Sequence, residues 1–166
     1  MCSSDLENSG SFTVQVQDQS GNPVTDAAGS VSVDMVAVDG SATDTSISAT
    51  PDATNSTASD RVFSPYTITG LAGSYKVEAT YTEGLTSFTK LSSAVTLSHG
   101  VASKLAFTAQ PGNSASGVEN SGSFTVQVQD QSGNPVTDAA GSVSVDMVAA
   151  DGSATDTSIS ATPDAT

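Results

Sequence analysis

Tryptophan is absent, and cysteine and histidine occur once each. The lone Cys2 excludes an intrachain disulfide. One Cys and one His cannot build a zinc site of the Cys/His type. Basic residues number only four, and Arg61, Lys76, Lys90 and Lys104 are scattered along the chain. Phosphate binding needs Lys and Arg gathered on one face, so nucleic acid is not an expected partner. No apolar run approaches the length of a membrane helix, so no membrane insertion is expected in this segment. The opening "MCSSDLENSG" has neither the basic nor the apolar region of a signal peptide.

What is present is acid. Eighteen Asp and Glu residues set the net charge at −14, and most of them are Asp. Asp and Gly favour turns and strand ends. Good helix formers are sparse, while Val, Thr and Ser abound, which makes an all-β composition. Such a charge favours solubility. It suits a saline or calcium-containing exterior, where salt screens self-repulsion. The expected location is therefore extracellular or at the cell surface.

The chain also repeats itself. Residues 7–54 return as residues 119–166, an offset of 112, and 47 of the 48 positions match. The exception is Val38, which becomes Ala150. Core positions tolerate conservative swaps and exposed positions tolerate nearly anything. Identity that extends to solvent-facing Ser, Thr and Asp therefore reports recent duplication of the coding DNA. A unit of 112 residues suits one β-sandwich domain and is too long for a short solenoid repeat.

Period-two alternation marks the strands. In "SFTVQVQD", Phe12, Val14 and Val16 share one face. "QSGNPV" supplies turn residues. In "SVSVDMVAVDG", Val31, Val33, Met35 and Ala37 share a face, which sends Val38 the other way. A short, polar edge strand is expected over residues 45–50, around Ile47. Phe63, Tyr66 and Ile68 lead to a turn at residues 70–73, after which Tyr75, Val77, Ala79 and Tyr81 point inward. "LTSFTKLSSAVTLSHG" is read as one last strand with Val95 and Leu97 inward. "VASKLAFTAQPG" gives another, with Leu105 and Phe107 inward. About seven strands per unit imply two packed antiparallel sheets.

The stretch "KLAFTAQPGNSASGVENSGSFTVQVQDQSGNPVT", with "ITGLAGSYKVEATY" in the first copy, resembles the bacterial immunoglobulin-like repeats (Big-type) of invasin- and intimin-like surface adhesins. The resemblance implies tandem immunoglobulin-like β-sandwiches. It implies that Tyr75 forms a tyrosine corner, its hydroxyl against upstream backbone. It also places "KLAFTAQP" as the first strand of a unit. The expected organisation is then a first repeat at 7–100 lacking that strand and a second at 101–166 lacking its C-terminal part. Residues 1–6 read as a non-native leader, the translated end of a sequencing adapter.

Catalysis finds little footing. No serine lies in a G-x-S-x-G elbow, and His99 sits in a turn, "SHG". Glu78 and Glu83 fall on a solvated strand face and its turn, so no enzyme is expected. Calcium is the one candidate cofactor. It takes six to eight oxygens, several of them carboxylate, and Asp18, Asp39, Asp44, Asp130 and Asp151 are the best-placed ligands. Asp26, Asp34, Asp52, Asp60, Asp138, Asp146, Asp156 and Asp164 extend the series. The spacing does not fit D-x-[DN]-x-[DN]-G. The leading functional expectation is a stalk or spacer that projects a distal binding domain, with neighbouring repeats of the same chain as its first partners. The alternatives are a carbohydrate- or protein-binding module, or an accessory domain of a secreted hydrolase or phage virion protein. A glycan site would want an exposed aromatic platform, which the lack of Trp disfavours.

Overall fold

The computed structural model describes residues 10–153 and 158–160. The leader at 1–6, Asp156 and Asp164 lie outside the described residues. Nine strands and no helix are found among the described residues. They are β1 (Phe12–Gln15), β2 (Ser30–Ala37), β3 (Ser46–Pro51), β4 (Asp60–Thr69), β5 (Gly73–Glu83), β6 (Thr86–Leu91), β7 (Val95–Leu97), β8 (Lys104–Ala109) and β9 (Thr125–Gln129).

The first seven make two antiparallel sheets. One runs β1-β4-β3, and the other runs β2-β5-β6 with β7 also on β5. The long strands β4 and β5 are central, and each offers both edges to partners. The short polar strand expected around Ile47 is β3, and it occupies an edge. The core draws on both sheets, as in a β-sandwich. Phe63 from one sheet and Val31, Ala79 and Tyr81 from the other join Val16 and Ala27, with Phe12, Val14, Val24, Val33 and Ala49 packed around them. Alternation explains the choice, since Val31 and Met35 on β2 and Val77, Ala79 and Tyr81 on β5 are buried. Each such burial of a large apolar side chain contributes about 1.5–3 kcal/mol.

Polar groups that enter this core are paired. The Tyr81 hydroxyl accepts the Gly29 N–H at 3.0 Å and donates to Glu83. Arg61 donates to the carbonyls of Thr57, Ala27 and Gly29. The Tyr75 hydroxyl donates to the Leu71 carbonyl at 2.8 Å, which is the upstream bond expected of it.

Two readings of the sequence are corrected. "LTSFTKLSSAVTLSHG" holds two strands, β6 and β7, not one. The break falls where the Ser92 hydroxyl accepts the Val77 N–H at 2.9 Å, so a side chain replaces a backbone rung. Val36 is buried as well, because the chain turns after Ala37 and brings Ala42 back beside it. Leu105 and Phe107 are exposed rather than inward. Their strand, β8, pairs only with β9 in a two-stranded sheet, and no second sheet covers it among the described residues.

By contacts the chain divides into two compact units. One is Met1–Ala106 with Gln127–Thr137, and the other is Phe107–Val126 with Asp138–Thr166. In the second unit, Phe107 and Phe124 meet at 6.2 Å. Residues 142–149 there repeat the words of β2 yet form no strand. Met35 is 2% exposed, and its counterpart Met147 is 42% exposed. The reason is the partner. β2 pairs along its whole length with β5, and the sequence contains "GSYKVEATYTE" only once.

Candidate functional site

The repeated hexapeptide "DQSGNP" forms the same turn twice. In the first copy the Gly21 N–H donates to the Asp18 carbonyl at 3.0 Å and the Asp18 N–H to the Asn22 carbonyl at 2.9 Å. In the second copy the Gly133 N–H donates to Asp130 at 3.1 Å and the Asp130 N–H to Asn134 at 3.0 Å. Gly21 and Gly133 both take positive φ, 87° and 97°, a conformation glycine adopts without a steric cost. The carboxylate reinforces each turn. Asp18 accepts the Ser20 and Asn22 N–H groups and the Asn22 side-chain amide. Asp130 accepts the Asn134 N–H at 2.9 Å and its side-chain amide at 2.8 Å.

Their surroundings differ completely. Asp18 and Asn22 are exposed. Asp130 and Asn134 are 5% and 4% exposed, because the second copy's turn is docked inside the first compact unit. The Asn134 side-chain carbonyl accepts the Ala72 N–H at 2.7 Å, and its amide donates to the Gly70 carbonyl at 3.0 Å. Asp130 Oδ2 accepts the Gly100 N–H at 2.7 Å. Beside them, the Ser103 N–H donates to the Gln129 carbonyl at 2.8 Å and Lys104 donates to the Gln131 carbonyl at 3.0 Å. Two side chains thus satisfy two backbone N–H groups and one carbonyl of the β4–β5 turn and the segment after β7. Each of these part-buried hydrogen bonds contributes about 0.5–1.5 kcal/mol.

Electrostatics follow the geometry. Burial pushes the Asp130 carboxyl up, but the N–H groups of Gly100, Asn134 and Gly133 and the Asn134 amide outweigh it. The net value falls from the ordinary 3.8 to about 2. A carboxyl depressed in the folded state contributes stability that is present above its unfolded value and is lost as pH falls through the folded one. Wild-type stability should therefore decline between about pH 5 and about pH 2. Asp130→Asn, which has no charge to lose there, should show a flatter decline over the same range. Thermal melts of both chains across that window check it; parallel curves count against the assignment.

Other sequence-predicted ligands are spread one to a turn. Asp39 accepts the Ser41 hydroxyl and N–H, and the Ser41 hydroxyl foremost lowers its carboxyl. Asp151 accepts the Ser153 N–H, and Ser153 lowers its carboxyl likewise, side chain first. The Asn22 side chain foremost lowers the Asp18 carboxyl, and the Asn55 side chain that of Asp52. Asp44 is exposed. Among the described residues no three His, Cys, Asp or Glu groups gather as a metal cluster. His99 Nδ1 lies 3.1 Å from the Gly100 carbonyl, within the docked segment. A cavity of about 270 Å³ lies beside the Asp130 turn, lined by Ile68, Gly70, Leu97, Val101 and Asp130. It is smaller than the roughly 300–1,000 Å³ of ordinary ligand pockets.

The sequence marks Asp130 as a calcium candidate and gives no sign of Asn134, Ala72, Gly70 or Gly100 as its neighbours in this turn. No local signal could have found them, because the residues around Asn134 are those around Asn22. Comparison with protein-family models, curated proteins and solved structures finds no match.

Proposed function

We propose that the chain is a tandem structural repeat of an exported bacterial surface or secreted protein. Its immunoglobulin-like units act as a stalk or spacer that carries a distal binding domain, and they do so without catalysis. The observation that carries this reading is the docked turn: residues 130–134 of the second copy fill hydrogen-bonding positions on the first copy's β4–β5 turn and on Gly100. A spacer needs such a fixed joint, since reach is the number of units multiplied by the length each holds rigidly. The near-identity of the copies supports the reading too. Recombination can lengthen or shorten an array freely when every unit does the same work. The acidic surface keeps a crowded array soluble and apart.

The test is solution scattering on a series of chains with increasing copy number. A stalk with fixed joints predicts a radius of gyration that grows nearly in proportion to copy number. Growth near the square root of copy number, as for freely jointed units, would refute the spacer reading.

A further inference from the structure

Among the described residues, no other segment is hydrogen-bonded to the Asp18 and Asn22 side chains of the same turn in the first copy. Asp18 accepts the Asn22 N–H and side-chain amide as Asp130 accepts those of Asn134. Among the described residues, the Asn22 side chain bonds only Asp18, its neighbour in the same turn. In the second copy the corresponding atoms reach the Ala72 N–H, the Gly70 carbonyl and the Gly100 N–H. We propose that residues 18–23 are a docking site for another copy of this repeat, which presents its equivalents of Gly70, Ala72 and Gly100.

The partner is set by chemistry. The turn offers one amide carbonyl, one amide N–H and one carboxylate oxygen in fixed positions. The complement is two backbone N–H groups and one carbonyl, spaced as in the "GLAG" turn and the "SHG" segment of this repeat. Because the turn is locked by its own carboxylate before docking, little side-chain freedom is lost on binding. The bonded surface is small, so free chains would associate weakly. A covalently linked preceding repeat supplies the effective concentration that makes the contact form. This inference rests on the spacer reading for its context, but its own measurement is separate: amide protection, not scattering.

Backbone hydrogen exchange of the whole chain tests it. The Ala72 and Gly100 amides should exchange about tenfold or more faster in Asp130→Ala/Asn134→Ala than in wild type. Asp18→Ala/Asn22→Ala should leave them unchanged. The chain is then extended by a further copy of residues 7–118 placed ahead of Glu7. In that chain the added copy's equivalents of Ala72 and Gly100 should be protected, and Asp18→Ala/Asn22→Ala should abolish that protection. Asn22→Ala alone, which keeps the Asp18 carboxylate on its own turn, guards against loss of the turn itself, with the Gly21 amide as the internal reporter. Added-copy amides that exchange at one rate with or without the Asn22 side chain, while Gly21 stays protected, would overturn the proposal. Continued protection of Ala72 in Asn134→Ala would overturn it as well.

Discussion

Phe63→Ala should lower the melting temperature of the β1–β7 sandwich by roughly 15–30 °C. Phe63 is the most completely buried large side chain among the described residues, at 1% exposure. It stacks on Phe12 with ring centroids 4.9 Å apart, and Phe12 in turn meets Tyr66 edge-on at 5.1 Å. β1 is only four residues long and pairs only with β4, with Phe12 opposite Phe63. Removing the ring therefore opens a cavity and also frees a short strand. Phe→Ala in a closed core costs about 3–5 kcal/mol, and each kcal/mol shifts the midpoint of a domain this size by about 4–8 °C. Phe88 provides the control. It lies on β6 at 47% exposure, tilted against Tyr81 at 5.0 Å, and Phe88→Ala should cost about 1 kcal/mol. Calorimetry of the two variants separates them; similar losses would mean that the core does not sit between the sheets.

The same contrast shows which features a sequence can display. Turns are legible because their causes are local. "DQSGNP" folds alike in both copies, and so does "AVDGS" beside "AADGS". The Gly40 N–H donates to Ala37 at 2.8 Å, and the Gly152 N–H to Ala149 at 2.8 Å. Strands are legible only where a partner exists. Alternation marks "SVSVDMVA" equally well at both places, yet only the first copy has β5 to pair with. Leu105 and Phe107 fail for the same reason, since periodicity names the apolar face of β8 but cannot supply what covers it. The docked turn was illegible on different grounds. Its five key groups lie at residues 70–72, 100 and 130–134, and three of them are backbone atoms without a side-chain signature. Asp130 stands out in the sequence only as an acid and hence as a calcium candidate. In the structure its oxygens accept N–H donors.

Gly70→Ala should be the most damaging single substitution at the β4–β5 turn, because it strikes the buried Thr45 and the residue 130–134 turn together. Gly70 has φ of +152°, a conformation that residues with a Cβ rarely adopt. A Cβ there would approach the Thr45 Cα to 2.7 Å and its Cβ to 2.8 Å. Thr45 is itself buried, directly ahead of β3, so backbone must move rather than a flexible side-chain tip. Strain of this kind costs about 3 kcal/mol or more. The displacement also carries the Gly70 carbonyl away from the Asn134 amide it accepts. Gly84→Ala isolates the conformational part. Gly84 has φ of +60° with nothing within 4 Å of the added atom, so that change should cost only about 1–2 kcal/mol. Denaturant midpoints should therefore fall much further for Gly70→Ala than for Gly84→Ala. Only Gly70→Ala should also raise the exchange rate of the Ala72 amide. If both variants lost equal stability and Ala72 stayed protected, Thr45 would not be packed against this turn, and the edge of the first sheet would play no part in holding the second copy's turn in place.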